Sequence, residues 1–305
     1  MRYVVTGAAG FIGSHLTEAL LEQGHEVVGI DCFTDYYDPA LKEENARAFD
    51  AEVRRLDLAE DDLDLSGFDG VFHLAGQPGV RSFGDVFPLY LRRNVEASRR
   101  VFEAAARDGV RVVFASSSSV YGEAERYPTP EDATPRPLSP YGITKLACEH
   151  LARAYERSFD ADIVVLRYFN AFGPRQRPDM AFTRIAQALA RGGTFTLYGD
   201  GTISRGWTYV SDVVDATILA MERGRGTYNV GGALEASMRE SIELFEHTSG
   251  RTLDVRREPE VPGDQRRTQA DTTRIRTELG WSPRVGLAGG IAAQWEWASA
   301  SVGAR

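Results

Sequence analysis

The strongest constraint on the fold lies at the start of the chain, in Arg2-Tyr3-Val4-Val5-Thr6-Gly7-Ala8-Ala9-Gly10-Phe11-Ile12-Gly13. An apolar, β-branched run leads straight into three glycines at spacing three. Helical periodicity begins at once in Ser14-His15-Leu16-Thr17-Glu18-Ala19-Leu20-Leu21. The pattern predicts a strand, a tight turn and a helix. Gly7 permits the unusual φ of the turn, Gly10 lets a pyrophosphate approach the backbone, and Gly13 lets the helix close on the strand. The leading N–H groups of such a helix have no intrahelical partner and sit at the positive end of its dipole, which suits a phosphate. The next apolar run, Glu26-Val27-Val28-Gly29-Ile30, ends in Asp31. A carboxylate there accepts from ribose hydroxyls and repels a 2′-phosphate, so NAD is favoured over NADP.

Short apolar runs then alternate with amphipathic stretches. Residues 51–56, 70–74, 110–115 and 163–167 read as strands, and 89–107 and 140–157 as helices. Alternation of this kind predicts an α/β chain built on a Rossmann-type, doubly wound parallel sheet with right-handed crossovers. Its ligands belong beyond the carboxyl ends of the strands. From about Ala171 the pattern loosens, with helices at 211–222 and 237–249 between loops rich in Gly, Pro and Arg. We expect an NAD-binding domain over residues 1–170 and a smaller C-terminal substrate lobe over 171–305, interleaved with the main sheet.

Composition excludes several classes of function. The net charge of −9 argues against nucleic acid as a partner. No apolar run approaches the roughly 18 residues of a membrane span. Only Cys32 and Cys148 are present, which fits a reducing compartment. With the strand pattern starting at residue 2, the expectation is a cytoplasmic chain without a signal peptide. The five histidines show no metal-binding spacing, and no metal is expected. His73, at the end of a strand, reads as structural.

The chemistry is concentrated in two runs. Ser116-Ser117-Ser118-Ser119-Val120-Tyr121-Gly122 follows a strand, and Ser139-Pro140-Tyr141-Gly142-Ile143-Thr144-Lys145 opens a helix. Tyr141 and Lys145 are four apart and share one helical face. A free phenol is a poor base at neutral pH, but a nearby ammonium favours the phenolate, which can take a hydroxyl proton while hydride leaves the same carbon. With the glycine turn and Asp31, these runs resemble the extended, nucleotide-sugar branch of the short-chain dehydrogenase superfamily, over nearly the whole chain. The resemblance implies Ser117, Tyr141 and Lys145 as catalytic residues and NAD as cofactor. It carries dinucleotide contacts onto Gly7, Gly10, Phe11, Ile12, Gly13, Asp31, Cys32, Asp57, Leu58, Leu74, Ala75, Gln77, Asn94, Ser116, Tyr141, Lys145 and Tyr168. In His73-Leu74-Ala75-Gly76-Gln77, Gly76 stands where the superfamily has a second alanine.

Sugar dehydratases of this superfamily carry an Asp-Glu pair directly after the equivalent of Ser117, and UDP-glucuronate decarboxylases carry a Glu two places after it. Here the residues are Ser118 and Ser119, which are not acids at neutral pH. The resemblance therefore implies oxidation and re-reduction, which is epimerisation. Asp31-Cys32-Phe33-Thr34-Asp35-Tyr36-Tyr37-Asp38-Pro39-Ala40-Leu41-Lys42, Gln77-Pro78-Gly79-Val80-Arg81-Ser82 and Gly173-Pro174-Arg175-Gln176-Arg177-Pro178-Asp179-Met180 are most like UDP-glucuronate 4-epimerases. Arg81, Arg177, Ser118 and Ser119 offer donors to a hexuronate carboxylate. By the same likeness Arg205 and Arg267 meet the diphosphate, Asp264 the UDP ribose, and Asn170 the diphosphate or sugar. Asn170 stands where glucuronate epimerases often have Thr, and Asn is usual in the galactose branch. The alternatives are thus a UDP-glucose/UDP-galactose 4-epimerase or a non-catalytic NAD-sensing protein on the same fold. Related enzymes pair through helices equivalent to 89–107 and 140–157, which implies a homodimer in which Leu89, Val95, Val101 and Phe102 are either contacts or core.

Overall fold

The computed structural model describes residues 1–79, 84–232, 235–260 and 265–303. The first half alternates β1 (Arg2–Thr6), α1 (Phe11–Glu22), β2 (Glu26–Asp31), α2 (Pro39–Arg47), β3 (Glu52–Arg55) and β4 (Gly70–His73). A long helical stretch follows, made of α3 (Phe87–Tyr90), a π-helical segment (Leu91–Glu96) and α4 (Ala97–Asp108). Then come β5 (Arg111–Ser117), α5 (Pro140–Phe159) and β6 (Ile163–Tyr168). The second half supplies β7 (Ala171–Phe172), α6 (Ala181–Arg191), β8 (Thr194–Tyr198), β9 (Ser204–Gly206), β10 (Thr208–Tyr209), α7 (Val210–Arg223) and β11 (Thr227–Val230). It ends with β12 (Glu235–Ser237), α8 (Met238–Ser249), β13 (Asp254–Glu258), β14 (Arg267–Thr268), α9 (Thr273–Leu279) and α10 (Leu287–Gly303).

Seven parallel strands form the main sheet in the order β11-β6-β5-β4-β1-β2-β3. Strand order reverses between β1 and β4, and the crevice at that switch point is where such a sheet takes its ligand. Helices cover both faces, so neighbouring strand residues are both buried. Val5 joins Leu16, Phe72, Val113 and Leu166 on one face, while Val4 joins Val71, Phe102, Phe114 and Cys148 on the other. His73 is fully buried between the hydroxyls of Thr6, at 2.8 Å, and Ser98, at 3.0 Å. It is a structural residue.

The doubly wound sheet matches the expectation from the sequence. Past residue 171, α7 and β11 return to the main sheet, where Val214, Met221 and Val230 complete one face of its core. The smaller lobe has its own core around Phe172, Phe182, Phe195, Trp207, Phe245 and Ile291, with the Phe182 and Trp207 rings stacked at 4.0 Å. The helical stretch expected over 89–107 starts at Phe87 and is broken by the π segment. Val101 and Phe102 are fully buried against the sheet, so they are core and not a dimer face.

Candidate active site

The glycine turn is built as its sequence demands at two positions. Gly7 has φ +72°, and a Cβ there would lie 2.9 Å from the Ala75 backbone N, so the turn passes directly beneath the loop after β4. A Cβ on Gly13 would lie 2.0 Å from the Gly7 carbonyl oxygen, so α1 closes on the turn itself. Among the described residues, no side chain caps α1 at Gly10. Its leading N–H groups are left for an external acceptor at the switch point.

Asp31 ends β2 beside that turn. It accepts from Phe33 N at 2.8 Å and Ala9 N at 3.2 Å. Burial nevertheless pushes its carboxyl pKa up. Asp57 accepts from Ala59 N at 3.1 Å and pairs with Arg92 at 2.8 Å and Arg93 at 3.4 Å. Arg93 also donates to Cys32 Sγ at 2.7 Å, and burial raises the thiol pKa. Reasoning from sequence missed Arg93, although it precedes Asn94, and missed Lys42, whose ammonium donates to Thr34 O and Oγ1 at 2.8 Å.

Asn94 does not line the cleft. Its side chain accepts from Gln77 N at 2.7 Å and donates to Gln77 O at 3.1 Å, holding the loop after β4 from behind. A Cβ on Gly76 would stand 2.9 Å from Asn94 Oδ1 and 3.4 Å from Lys145 Nζ. That is the physical reason for glycine at a position where the superfamily has alanine.

Ser139 caps α5, accepting from Gly142 N at 3.1 Å, and so sets the first turn that carries Tyr141. Lys145 is buried, donates to Ala115 O at 2.8 Å, and stands 6.0 Å from the centre of the Tyr141 ring. Among the described residues, no hydrogen-bond partner meets the Tyr141 hydroxyl. Ser117 accepts from Ser119 N at 3.1 Å and caps the short turn after β5. The Ser116 hydroxyl is engaged by Glu149 at 2.5 Å, so only the rest of the residue faces the cleft. Tyr168 pairs with Thr217 at 2.7 Å, and burial holds its phenol pKa well above the usual range.

Every residue assigned to the dinucleotide except Asn94 lines one continuous cleft at the switch point. Tyr36, Tyr37, Lys42, Arg93 and Arg177 join them. A second cavity opens from it and shares Phe11, Ile12, Tyr36, Tyr141, Tyr168 and Arg177 with the first. It runs past Ser117, Ser118, Ser119 and Asn170 to Arg205, Leu197 and Trp207. Tyr141 therefore stands where the two cavities meet. Arg177 is held by Asp179 at 3.0 Å, and its guanidinium lies 6.0 Å from the Tyr36 ring. Asn170 donates to Thr268 Oγ1 at 2.6 Å. Arg205 donates to Ser204 O at 2.8 Å. Arg267 does not line either cavity; Glu235 takes its guanidinium at 2.7 to 3.0 Å. Arg81 and Asp264 lie outside the described residues.

The donor set fits NAD. An uncapped helix start faces the crevice, a carboxylate ends β2, and a phenol and ammonium stand at the far end of the same cleft. Among the described residues, no group of three or more His, Cys, Asp or Glu could hold a metal, and no helix is long and apolar enough to cross a membrane.

A family model described as NAD dependent epimerase/dehydratase family matches residues 3–231. The chain is 40% identical to an uncharacterised UDP-glucose epimerase, YtcB, of Bacillus subtilis, over 95% of this chain and 96% of the relative. It is 39% identical to the UDP-glucose 4-epimerase of Mycolicibacterium smegmatis, over 96% of each. Among solved structures it is similar to the UDP-glucuronic acid 4-epimerase of Bacillus cereus in complex with UDP-glucuronic acid and NAD. The TM-score is 0.95 and the identity 39%, over 99% of this chain and 100% of that one.

Proposed function

The chain belongs to the NAD dependent epimerase/dehydratase family, and from that premise we propose that it interconverts UDP-glucuronate and UDP-galacturonate at C4 and retains NAD throughout. One observation carries this reading. Tyr141 stands where the dinucleotide cleft meets the second cavity, with serines and no acid directly after Ser117.

Bound NAD supplies a reversible hydride acceptor. The residues of the chain do the rest. Tyr141 takes the C4 hydroxyl proton as C4 is oxidised to the ketone and returns a proton after the sugar has turned over. The Lys145 ammonium stabilises negative charge on the phenol oxygen. Ser117 relays the proton. Ser118, Ser119 and Arg177 hold the C5 carboxylate. A 4-keto hexuronate is a β-keto acid, and it loses carbon dioxide when the carboxylate bond lies perpendicular to the carbonyl. A clamp in another orientation, with no acid to supply a proton at C5, suppresses that loss. Arg205 serves the diphosphate, and residues 171–305 form most of the UDP-sugar lobe.

Asn170 favours a second reading on UDP-glucose and UDP-galactose, which agrees with the names of the two relatives above. Purified protein supplied with each UDP sugar, with the epimers resolved by chromatography, decides between them. Turnover of UDP-glucose without UDP-glucuronate reverses the order. No turnover of either leaves a binding role.

The chain is further assigned to the cytoplasm and to a homodimer, the latter because Leu91 and Ile143 stay 44% and 49% exposed on the two helices concerned. A monomeric mass by light scattering would refute the dimer.

A further inference from the structure

The segment that carries Arg177 is anchored from two sides, and one anchor is the dinucleotide helix. Three residues in six have positive φ: Asn170 at +32°, Gly173 at +142° and Arg175 at +62°. An arginine in the left-handed region is strained and persists only where its surroundings over-determine it. Here the surroundings are α1. Arg175 Nη1 donates to Glu18 Oε1 at 3.1 Å and Nη2 to Glu18 Oε2 at 2.5 Å, a two-pronged pair with side chains 18% and 28% exposed. His15, one turn earlier, donates from Nε2 to Pro174 O at 2.9 Å and accepts from Arg175 Nη2 on Nδ1 at 3.3 Å. Pro174 O can only accept and Arg175 Nη2 can only donate, so the proton sits on Nε2, Nδ1 is bare and the ring is neutral. Burial and the Arg175 charge agree with this, since they lower the imidazole pKa to about 4.

The opposite side is fixed by α10. Gln294, fully buried, accepts from Gly173 N at 3.1 Å and donates to Gln176 Oε1 at 2.9 Å. Between these anchors Arg177 is the residue that enters both cavities. Neither Arg175 nor Glu18 lines either cavity. Their bonds can act on substrate only through the backbone of this segment, which carries Arg177 into both cavities and Asn170 and Gln176 into the second.

We propose that Glu18 and His15, through Arg175, are positioning residues that set where Arg177 stands, so that the helix heading the dinucleotide cleft also sets selectivity for a carboxylate-bearing sugar. This rests on the uronate reading above. A neutral sugar makes no ion pair with Arg177, so displacing that guanidinium should weigh on a uronate more than on a neutral hexose.

The test compares kcat and KM on UDP-glucuronate and UDP-glucose for the intact NAD-loaded protein and for Arg175→Gln, Glu18→Gln and Arg175→Lys. In both neutral variants we expect KM for UDP-glucuronate to rise about tenfold. KM for UDP-glucose, kcat and the NAD content of the purified protein should stay within about twofold. Arg175→Lys keeps the charge without the fork and should recover part of the loss. If Arg175→Gln does not fold, Glu18→Gln carries the same comparison. Equal changes in KM for both sugars, or none, would overturn the inference while the wild-type protein still turns over UDP-glucuronate. A wild-type protein active on UDP-glucose alone would overturn the uronate reading, and this inference with it.

Discussion

Substituting the last glycine of the turn tests whether the opening motif acts through the fold or through the cofactor. A Cβ on Gly13 would lie 2.0 Å from the Gly7 carbonyl oxygen and 2.8 Å from its carbon, both backbone atoms that cannot rotate away. Real Cβ contacts keep more than 3 Å, so α1 and the turn must separate by about 1 Å. Overpacking of this kind destabilises by about 3 kcal/mol, which in a chain of 305 residues lowers Tm by about 5 °C. The same displacement moves the leading N–H groups of α1, so bound NAD should be lost as well. Gly10 separates the two effects. Its Cβ would meet only the Gly7 oxygen at 3.1 Å, which slight relaxation relieves. Gly10→Ala should keep Tm within about 2 °C and lose NAD, because the methyl occupies the approach of the pyrophosphate. The measurements are differential scanning calorimetry and the absorbance of NAD released on denaturation. Gly13→Ala with wild-type Tm and NAD content would refute the reasoning, and so would Gly10→Ala with wild-type NAD content.

Three further outcomes follow from the site. Tyr141→Phe should lower epimerisation by about a hundred- to ten-thousand-fold while NAD stays bound, read by chromatography of the UDP sugars. Ser118→Ala should raise the carbon dioxide released per turnover of UDP-glucuronate, read by trapping labelled gas; unchanged release and unchanged epimerisation would discard the serine clamp. Stability should fall on acidification. His73 and His15 have native pKa values lowered to about 3 and about 4 from 6.5, mainly by burial. The unfolded chain therefore takes up protons that the native state refuses. Each imidazole contributes stability that is complete above pH 6.5 and is lost at about 1.4 kcal/mol per pH unit below it. Urea midpoints that do not fall between pH 7 and pH 5 would contradict both burials.

The parts of the site that were legible in the sequence are those fixed by local chain geometry. Three glycines with a carboxylate at the end of the next strand dictate a turn. Tyr141 and Lys145 share a face because a helix repeats every 3.6 residues. Ser116 to Ser119 span the carboxyl end of β5 and the turn after it, and in a doubly wound sheet those strand ends face the crevice. What stayed hidden depends on which partner a side chain finds. Arg267 reads as a phosphate ligand until Glu235 is seen to hold it. Asn94 reads as a cofactor contact, yet its amide is spent on the backbone of Gln77. Val101 and Phe102 have the spacing of a helix face but not the information on which neighbour that face meets. β11 is four residues of ordinary strand, and only pairing with β6 shows that it closes the main sheet.

The same limit applies to α5, where periodicity reaches deeper than the two catalytic side chains. Residues 141, 145 and 149 lie on one stripe of the helix, and the last two are buried alike. Tyr141 faces the cavities, Lys145 bonds Ala115 O, and Glu149 is buried with its side chain 5% exposed. Glu149 takes Ser116 Oγ at 2.5 Å on one oxygen and Arg167 Nη2 at 2.7 Å on the other. Arg167 continues to Tyr121 Oη at 2.7 Å, which donates to Asn229 Oδ1 at 2.7 Å. Breaking a buried pair of this kind costs about 3 to 5 kcal/mol, because one charge is left without a partner. Rotating α5 by one residue, about 100°, would break the Glu149 pair and the Lys145 bond together. That penalty sets the rotation of the helix at its buried end. The direction of the phenol is thereby fixed two turns away from the chemistry it serves, and a fully paired network leaves no second arrangement of comparable energy.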